Sequence, residues 1–125
     1  MACAAALAVI DTIERDGLLA NVQSVGETLA AGVQACVGAA PLLTGVRGRG
    51  LWRALTLSEN ASGTVETAAR NAGFLVNAVA PDAVRLAPPL VLDAEQALAF
   101  VSALPGILAE AANVLAGLEP PGGPV

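Results

Sequence analysis

The sequence predicts an α+β domain, with a small antiparallel sheet of about four strands covered by helices. Three observations point there. Apolar residues recur at steps of three or four in several stretches and alternate singly in others. Counted along the chain, the elements run helix, helix, strand, strand, helix, strand, strand, helix. Finally, two short apolar runs, Phe74 to Val79 and Val84 to Leu86, flank Ala80-Pro81-Asp82. Pro81 fixes its own φ, biases Ala80 towards an extended shape and precedes an Asp that can bond nearby amides, so the chain reverses there.

Met1 to Ile10 is apolar, ends at Asp11 and has no basic residue before it, which fits neither a signal peptide nor a membrane span. Leu7, Ile10 and Ile13 keep helical spacing up to Asp16-Gly17, where glycine supplies a left-handed cap. A helix that opens a chain without an N-cap implies that the polypeptide continues upstream. Val22, Val25, Leu29, Val33 and Cys36 form the stripe of a second helix ending near Val37. Each buried Leu or Val contributes roughly 1.5–3 kcal/mol, so this stripe must pack on something substantial, and the strands are the candidate.

Gly38 to Pro41 breaks that helix, and a strand from Leu42 ends in Gly45-Val46-Arg47-Gly48-Arg49-Gly50. This spacing matches neither the Walker nor the dinucleotide pattern and no Lys follows, so a turn with crowded backbone is the reading rather than a phosphate loop. Leu51 to Leu57 alternates, with Leu51, Arg53, Leu55 and Leu57 on one face and Trp52, Ala54 and Thr56 on the other. Arg53 reads as a solvated or edge-strand residue that discourages pairing between chains. After the polar loop from Ser58 to Gly63, Thr64 is the expected N-cap of a short helix to Ala72, with Glu66 and Arg70 paired and Gly73 as its stop.

Asp93 with Gln96 is a capping-box start for the last helix, whose expected apolar face is Leu98, Val101, Leu104, Leu108 and Leu115. Pro105 within it predicts a kink or a break into two pieces near Leu104. Ala97 to Leu118 is apolar enough to raise a transmembrane reading, but Pro105, Gly106, Glu110 and the amphipathic spacing favour a helix packed in a soluble protein. The tail, residues 119–125, cannot continue a helix and is expected to be disordered.

Composition sets further bounds. The 125 residues suffice for one domain, and 55% of them are hydrophobic but only 2% aromatic. The core must therefore be built from Ala, Val and Leu, with Trp52, Phe74 and Phe100 as its large fillers. The net charge of −5 and the absence of any dense basic tract argue against nucleic acid. All six basic residues are arginines, and there is no Lys, His or Tyr. A Schiff-base lysine, a histidine general base and a histidine metal site are thus excluded within this chain, and no catalytic, cofactor-binding or metal-binding residue is assigned. Cys3 and Cys36 read as buried free thiols of a reducing, cytoplasmic compartment.

Arg85 is the residue that demands an explanation. Val84 and Leu86 point one way, Arg85 and Ala87 the other, and Pro88-Pro89 ends the ladder. A guanidinium among Val, Leu, Ala and Pro needs water, an anion, or a carboxylate of its own chain such as Asp82 or Asp93. Arg offers a carboxylate two parallel hydrogen bonds, which Lys does not.

The segment GFLVNAVAPDAVRLAPPL, from Gly73 to Leu90, resembles the small-domain segment of the class III, ornithine-type pyridoxal-phosphate aminotransferases. Its Leu75-Val76-Asn77 looks most like the acetylornithine branch. MACAAALAVIDTIERDGLL resembles the family's helix after its Gly-Asn-Pro motif, VRGRGL resembles the strand turn that follows, and the likeness reaches about Leu115. Trp52-Arg53-Ala54 departs from it, since the family usually carries small or aliphatic residues there.

The resemblance implies that residues 1–118 are a C-terminal small domain, with the large domain absent. It implies that Arg85 binds the α-carboxylate of amino-acid and keto-acid substrates. Pyridoxal phosphate, its lysine, the large domain and a second subunit of a homodimer would complete the enzyme, which would transfer the δ-amino group of N-acetylornithine to 2-oxoglutarate in arginine biosynthesis. No nucleic acid or membrane is implied. The alternative is a stand-alone, non-enzymatic module that binds small carboxylates weakly through Arg85 or only self-associates.

Overall fold

The computed structural model describes residues 1–117; the tail at 119–125 lies outside the described residues, as does position 118. The elements follow the expected order: α1 (Ala2–Arg15), α2 (Leu18–Cys36), β1 (Leu43–Arg49), β2 (Trp52–Leu57), α3 (Ser62–Asn71), β3 (Asn77–Ala80), β4 (Ala83–Leu86) and α4 (Ala94–Leu115). The strands form one antiparallel sheet in the order β1-β2-β4-β3, so the domain is α+β with helices against a single sheet.

One face of the sheet holds the core. Leu43, Leu55, Leu57, Val84 and Leu86 are buried there with Val25, Leu29 and Val33 of α2 and Leu104, Ile107 and Leu108 of α4. Ala40, Ala61, Ala68, Ala69, Ala97 and Ala111 fill the remainder. Small side chains let the layers approach closely. A Cβ on Gly32 of α2 would lie 2.7 Å from Val101 of α4, and one on Gly26 would overlap the Gly50 carbonyl in the β1–β2 turn.

That turn explains its own glycines. Gly48 and Gly50 have φ of 122° and 51°, in the region that favours glycine. Arg53 is not the edge residue expected, because β2 lies inside the sheet. Its Nε donates to the Gly50 carbonyl at 2.8 Å and its Nη1 to the Gly48 carbonyl at 2.9 Å, so the guanidinium satisfies the turn.

Other boundaries differ from expectation for identifiable reasons. α3 begins at Ser62 under an Ala61 cap with no side-chain bond, and Thr64 caps nothing. The Ser62 amide instead donates to the Pro81 carbonyl at 3.0 Å, so the β3–β4 turn holds the helix start. Gly73, at φ 95°, does end α3: its amide bonds the Arg70 carbonyl and the Phe74 amide bonds that of Ala69, a Schellman closure. Phe74 to Val76 stay out of β3. Phe74 packs edge-on against Phe100, with centroids 5.4 Å apart. Glu66 and Arg70 pair at 3.4 Å as expected.

α4 carries both bonds of its capping box, Gln96 N to Asp93 Oδ1 at 2.7 Å and Asp93 N to Gln96 Oε1 at 3.1 Å. It runs unbroken through Pro105 rather than in two pieces. A mid-helix proline costs about 3 kcal/mol, and the buried Phe100, Leu104, Ile107 and Leu108 on both sides of it outweigh that. The buried stripe is Ala97, Phe100, Leu104, Ile107, Leu108 and Ala111; Leu98 and Leu115 are exposed and Val101 only partly buried, so the helix is rotated from the expected face. α4 is long and apolar enough to cross a membrane, but here its stripe belongs to the core.

α1 has no buried residue. Cys3 is accordingly exposed rather than buried, and Cys36 is only half-buried, packed against the edge of the core. Leu7, Val9 and Ile10 are each at least half exposed on this helix.

Two outcomes follow from this packing. Gly26→Ala should destabilise the chain by about 1–3 kcal/mol through forced separation of α2 from the turn, read as a lower urea midpoint, whereas Gly63→Ala, with open space around it, should not. The uncovered side chains of α1 should drive self-association, seen as a concentration-dependent sedimentation coefficient; a clean monomer at high concentration would count against this.

Candidate functional site

Strand alternation places Arg85 on the face away from the core. Val84 and Leu86 on either side of it are buried, Arg85 is half-buried and Ala87 is exposed. In register, Arg47, Ala54, Arg85 and Asn77 form one row across the four strands, and Arg49 opposes Trp52. This open face therefore carries three arginines, Arg47, Arg49 and Arg85, with no Asp or Glu on its strands. The segment after Pro88-Pro89 is pinned by Asn21, whose Nδ2 donates to the carbonyls of Leu90 at 2.8 Å and Leu92 at 3.0 Å.

The carboxylates that could have neutralised Arg85 do not reach it. Among the described residues the ion pairs are Arg15 with Asp16 at 3.1 Å and Arg70 with Glu66 at 3.4 Å; Asp82 and Asp93 do not contact Arg85. Its Cζ instead lies over the indole of Trp52, 4.9 Å from the ring centroid. Its Nε is buried and has no hydrogen-bond partner. A donor left so costs about 1–3 kcal/mol, which an acceptor such as a carboxylate oxygen would recover.

Sequence reasoning singled out Arg85 and missed its neighbour. Trp52 is not a core filler: it is 62% exposed and sits on the open face. Its parity in β2 was readable, but its approach to Arg85 depends on the β2–β4 pairing, which no local pattern reveals. Among the described residues no group of three His, Cys, Asp or Glu side chains could hold a metal ion. A broad surface depression lies elsewhere, at the start of α3, lined in part by Asn60, Thr64, Thr67 and Glu110 and by no cation.

Comparison with known proteins agrees with this architecture. The family model described as Aminotransferase class-III matches residues 1–108. The chain is 50% identical over 117 residues to the acetylornithine aminotransferase of Streptomyces coelicolor, covering 94% of this chain and 29% of that protein. It is 47% identical over 110 residues to that of Mycolicibacterium smegmatis, covering 88% of this chain and 28% of the relative.

Among solved structures, the acetylornithine aminotransferase from Elizabethkingia anophelis superposes with a TM-score of 0.82 at 27% identity, over 87% of this chain and 28% of that one. An amine transaminase from an uncultivated Pseudomonas species, in its PLP-bound internal aldimine form, gives 0.81 at 35% identity, over 88% and 27%. The chain thus spans under a third of the length of these relatives.

The residues present do not fit covalent capture of pyridoxal phosphate, because every basic side chain is an arginine and none offers the amine that forms an imine. What the face does offer is one guanidinium with an unsatisfied donor. Replacing it should not weaken the isolated chain. Arg85→Met should leave the urea midpoint unchanged or raised, since the cation–π contact forfeited is worth about 0.5–1 kcal/mol and the relieved Nε about 1–3 kcal/mol. A clear fall would mean that the guanidinium is already satisfied.

Proposed function

Since the chain belongs to the class III aminotransferase family, we propose that residues 1–118 form the C-terminal small domain of an acetylornithine-type aminotransferase and that Arg85 grips the substrate carboxylate. The observation that carries the second half is the buried, unpartnered Nε of Arg85 on an arginine-bearing face where, among the described residues, no carboxylate meets it.

In this reading the guanidinium makes two parallel hydrogen bonds to one end of the substrate, fixing where the other end reaches. Both the amino-acid donor and the keto-acid acceptor present an α-carboxylate, so a single arginine serves both halves of the exchange between N-acetylornithine and 2-oxoglutarate. Pyridoxal phosphate would supply the electron sink for amino-group transfer, and it would be held with its lysine on the large domain. That domain and a second subunit would cover surfaces left open here, including α1. The setting would be the cytoplasm and the pathway arginine biosynthesis.

The coding DNA upstream of Met1, read in frame, separates this proposal from a stand-alone carboxylate-binding module. A lysine-bearing large domain supports the enzyme, and a stop codon with a ribosome-binding site supports the module. In the complete enzyme, Arg85→Ala should raise KM for both substrates and cost roughly 2–4 kcal/mol in kcat/KM. An unchanged KM would remove Arg85 from the site.

A further inference from the structure

Trp52 is the largest side chain on the open sheet face and is 62% exposed there, while Leu51 just before it and Leu55 further along β2 are buried. Ala54 pairs directly with Arg85 across β2 and β4, so Trp52, two residues earlier on β2, is the diagonal neighbour of Arg85 on the same face. Aromatic side chains reach across a diagonal of about 7–8 Å. This one does, placing its ring centroid 4.9 Å from the Arg85 Cζ.

An aromatic partner differs from an acidic one in what it leaves free. A carboxylate would occupy the guanidinium fork, whereas a ring face takes none of its N–H groups. With neither an ion pair nor a partner for Nε, the indole is the contact that restrains the head of Arg85. Ala54 between them adds only a methyl group and leaves room above the row.

We propose that Trp52 is a positioning residue, holding the Arg85 guanidinium over its indole so that the hydrogen-bonding edge stays directed at a carboxylate ligand. This rests on the reading of Arg85 as the carboxylate-binding residue, and the two can fail separately.

Trp52 is the only tryptophan, so its emission reports on the stack directly. The 125-residue chain is titrated with glutarate at constant ionic strength, with chloride as the control anion, and affinity is measured by calorimetry for variants that lack the indole. The unaltered chain should show a saturable change in emission with glutarate and none with chloride. Trp52→Leu should weaken binding by about 3- to 30-fold while losing no more stability than the cation–π contact accounts for, and Trp52→Phe should restore most of the lost affinity. Arg85→Ala should abolish binding. If Trp52→Leu binds glutarate as tightly as the unaltered chain while Arg85→Ala does not, the positioning role is overturned and the Arg85 reading stands. Binding that survives Arg85→Ala, or a linear response in the unaltered chain, overturns both.

Discussion

The two-residue period of β4 is the constraint on which the site depends. A strand that buries Val84 and Leu86 against α2 and α4 must turn Arg85 to the opposite face, and a slip of one residue would put a guanidinium into the core. Burial of the two apolar neighbours therefore fixes the direction of the arginine more firmly than any contact Arg85 makes itself. The β3–β4 turn locks this register at one end: the Asp82 carbonyl accepts from Leu57 N at 2.8 Å and the Pro81 carbonyl from Ser62 N.

Around that strand the domain is tightened by what its residues lack. Gly26 lets α2 sit on the Gly50 carbonyl, Gly32 lets it meet Val101 of α4, and alanines line much of the buried surface. Arg53 gives its Nε and one Nη1 hydrogen to the turn carbonyls of Gly50 and Gly48, so it holds β1 to β2. Arg85, half-buried two strands from Arg47 on the other face, has no such internal acceptor. The two arginines thus divide into one that is structural and one left open, and what separates them is the face each occupies.

The open sheet face and α1 share a property unusual for a domain of this size, since each is a surface with no layer over it among the described residues. Helices cover one side of the sheet alone, and α1 has no fully buried residue. Both features suit a part that is finished by other parts, consistent with relatives more than three times as long. The composition agrees, because no side chain of this sequence offers the lysine amine that forms an imine.

Much of this was written in local pattern. Helical stripes at three and four residues placed α1 and α2, alternation with the Pro81-Asp82 reversal placed β4, and the same alternation turned Arg85 away from Val84 and Leu86. Asp93 and Gln96 announced the start of α4 because a capping box is closed within four residues. Where local pattern failed, a distant partner had decided the outcome. α3 starts where Pro81 accepts from it, Pro105 does not break α4 because the core holds the helix on both sides, and α4 shows the core a different stripe where it packs against α2 and α3. Arg53 became a turn clasp and Trp52 a cover for Arg85 through strand pairings that join residues far apart in sequence. The sequence by itself determined which way each side chain leaves its own strand or helix, because that direction is a property of the backbone repeat. Which side chain then stands opposite was decided only by the tertiary structure, because pairing and packing are chosen by the free energy of the whole core.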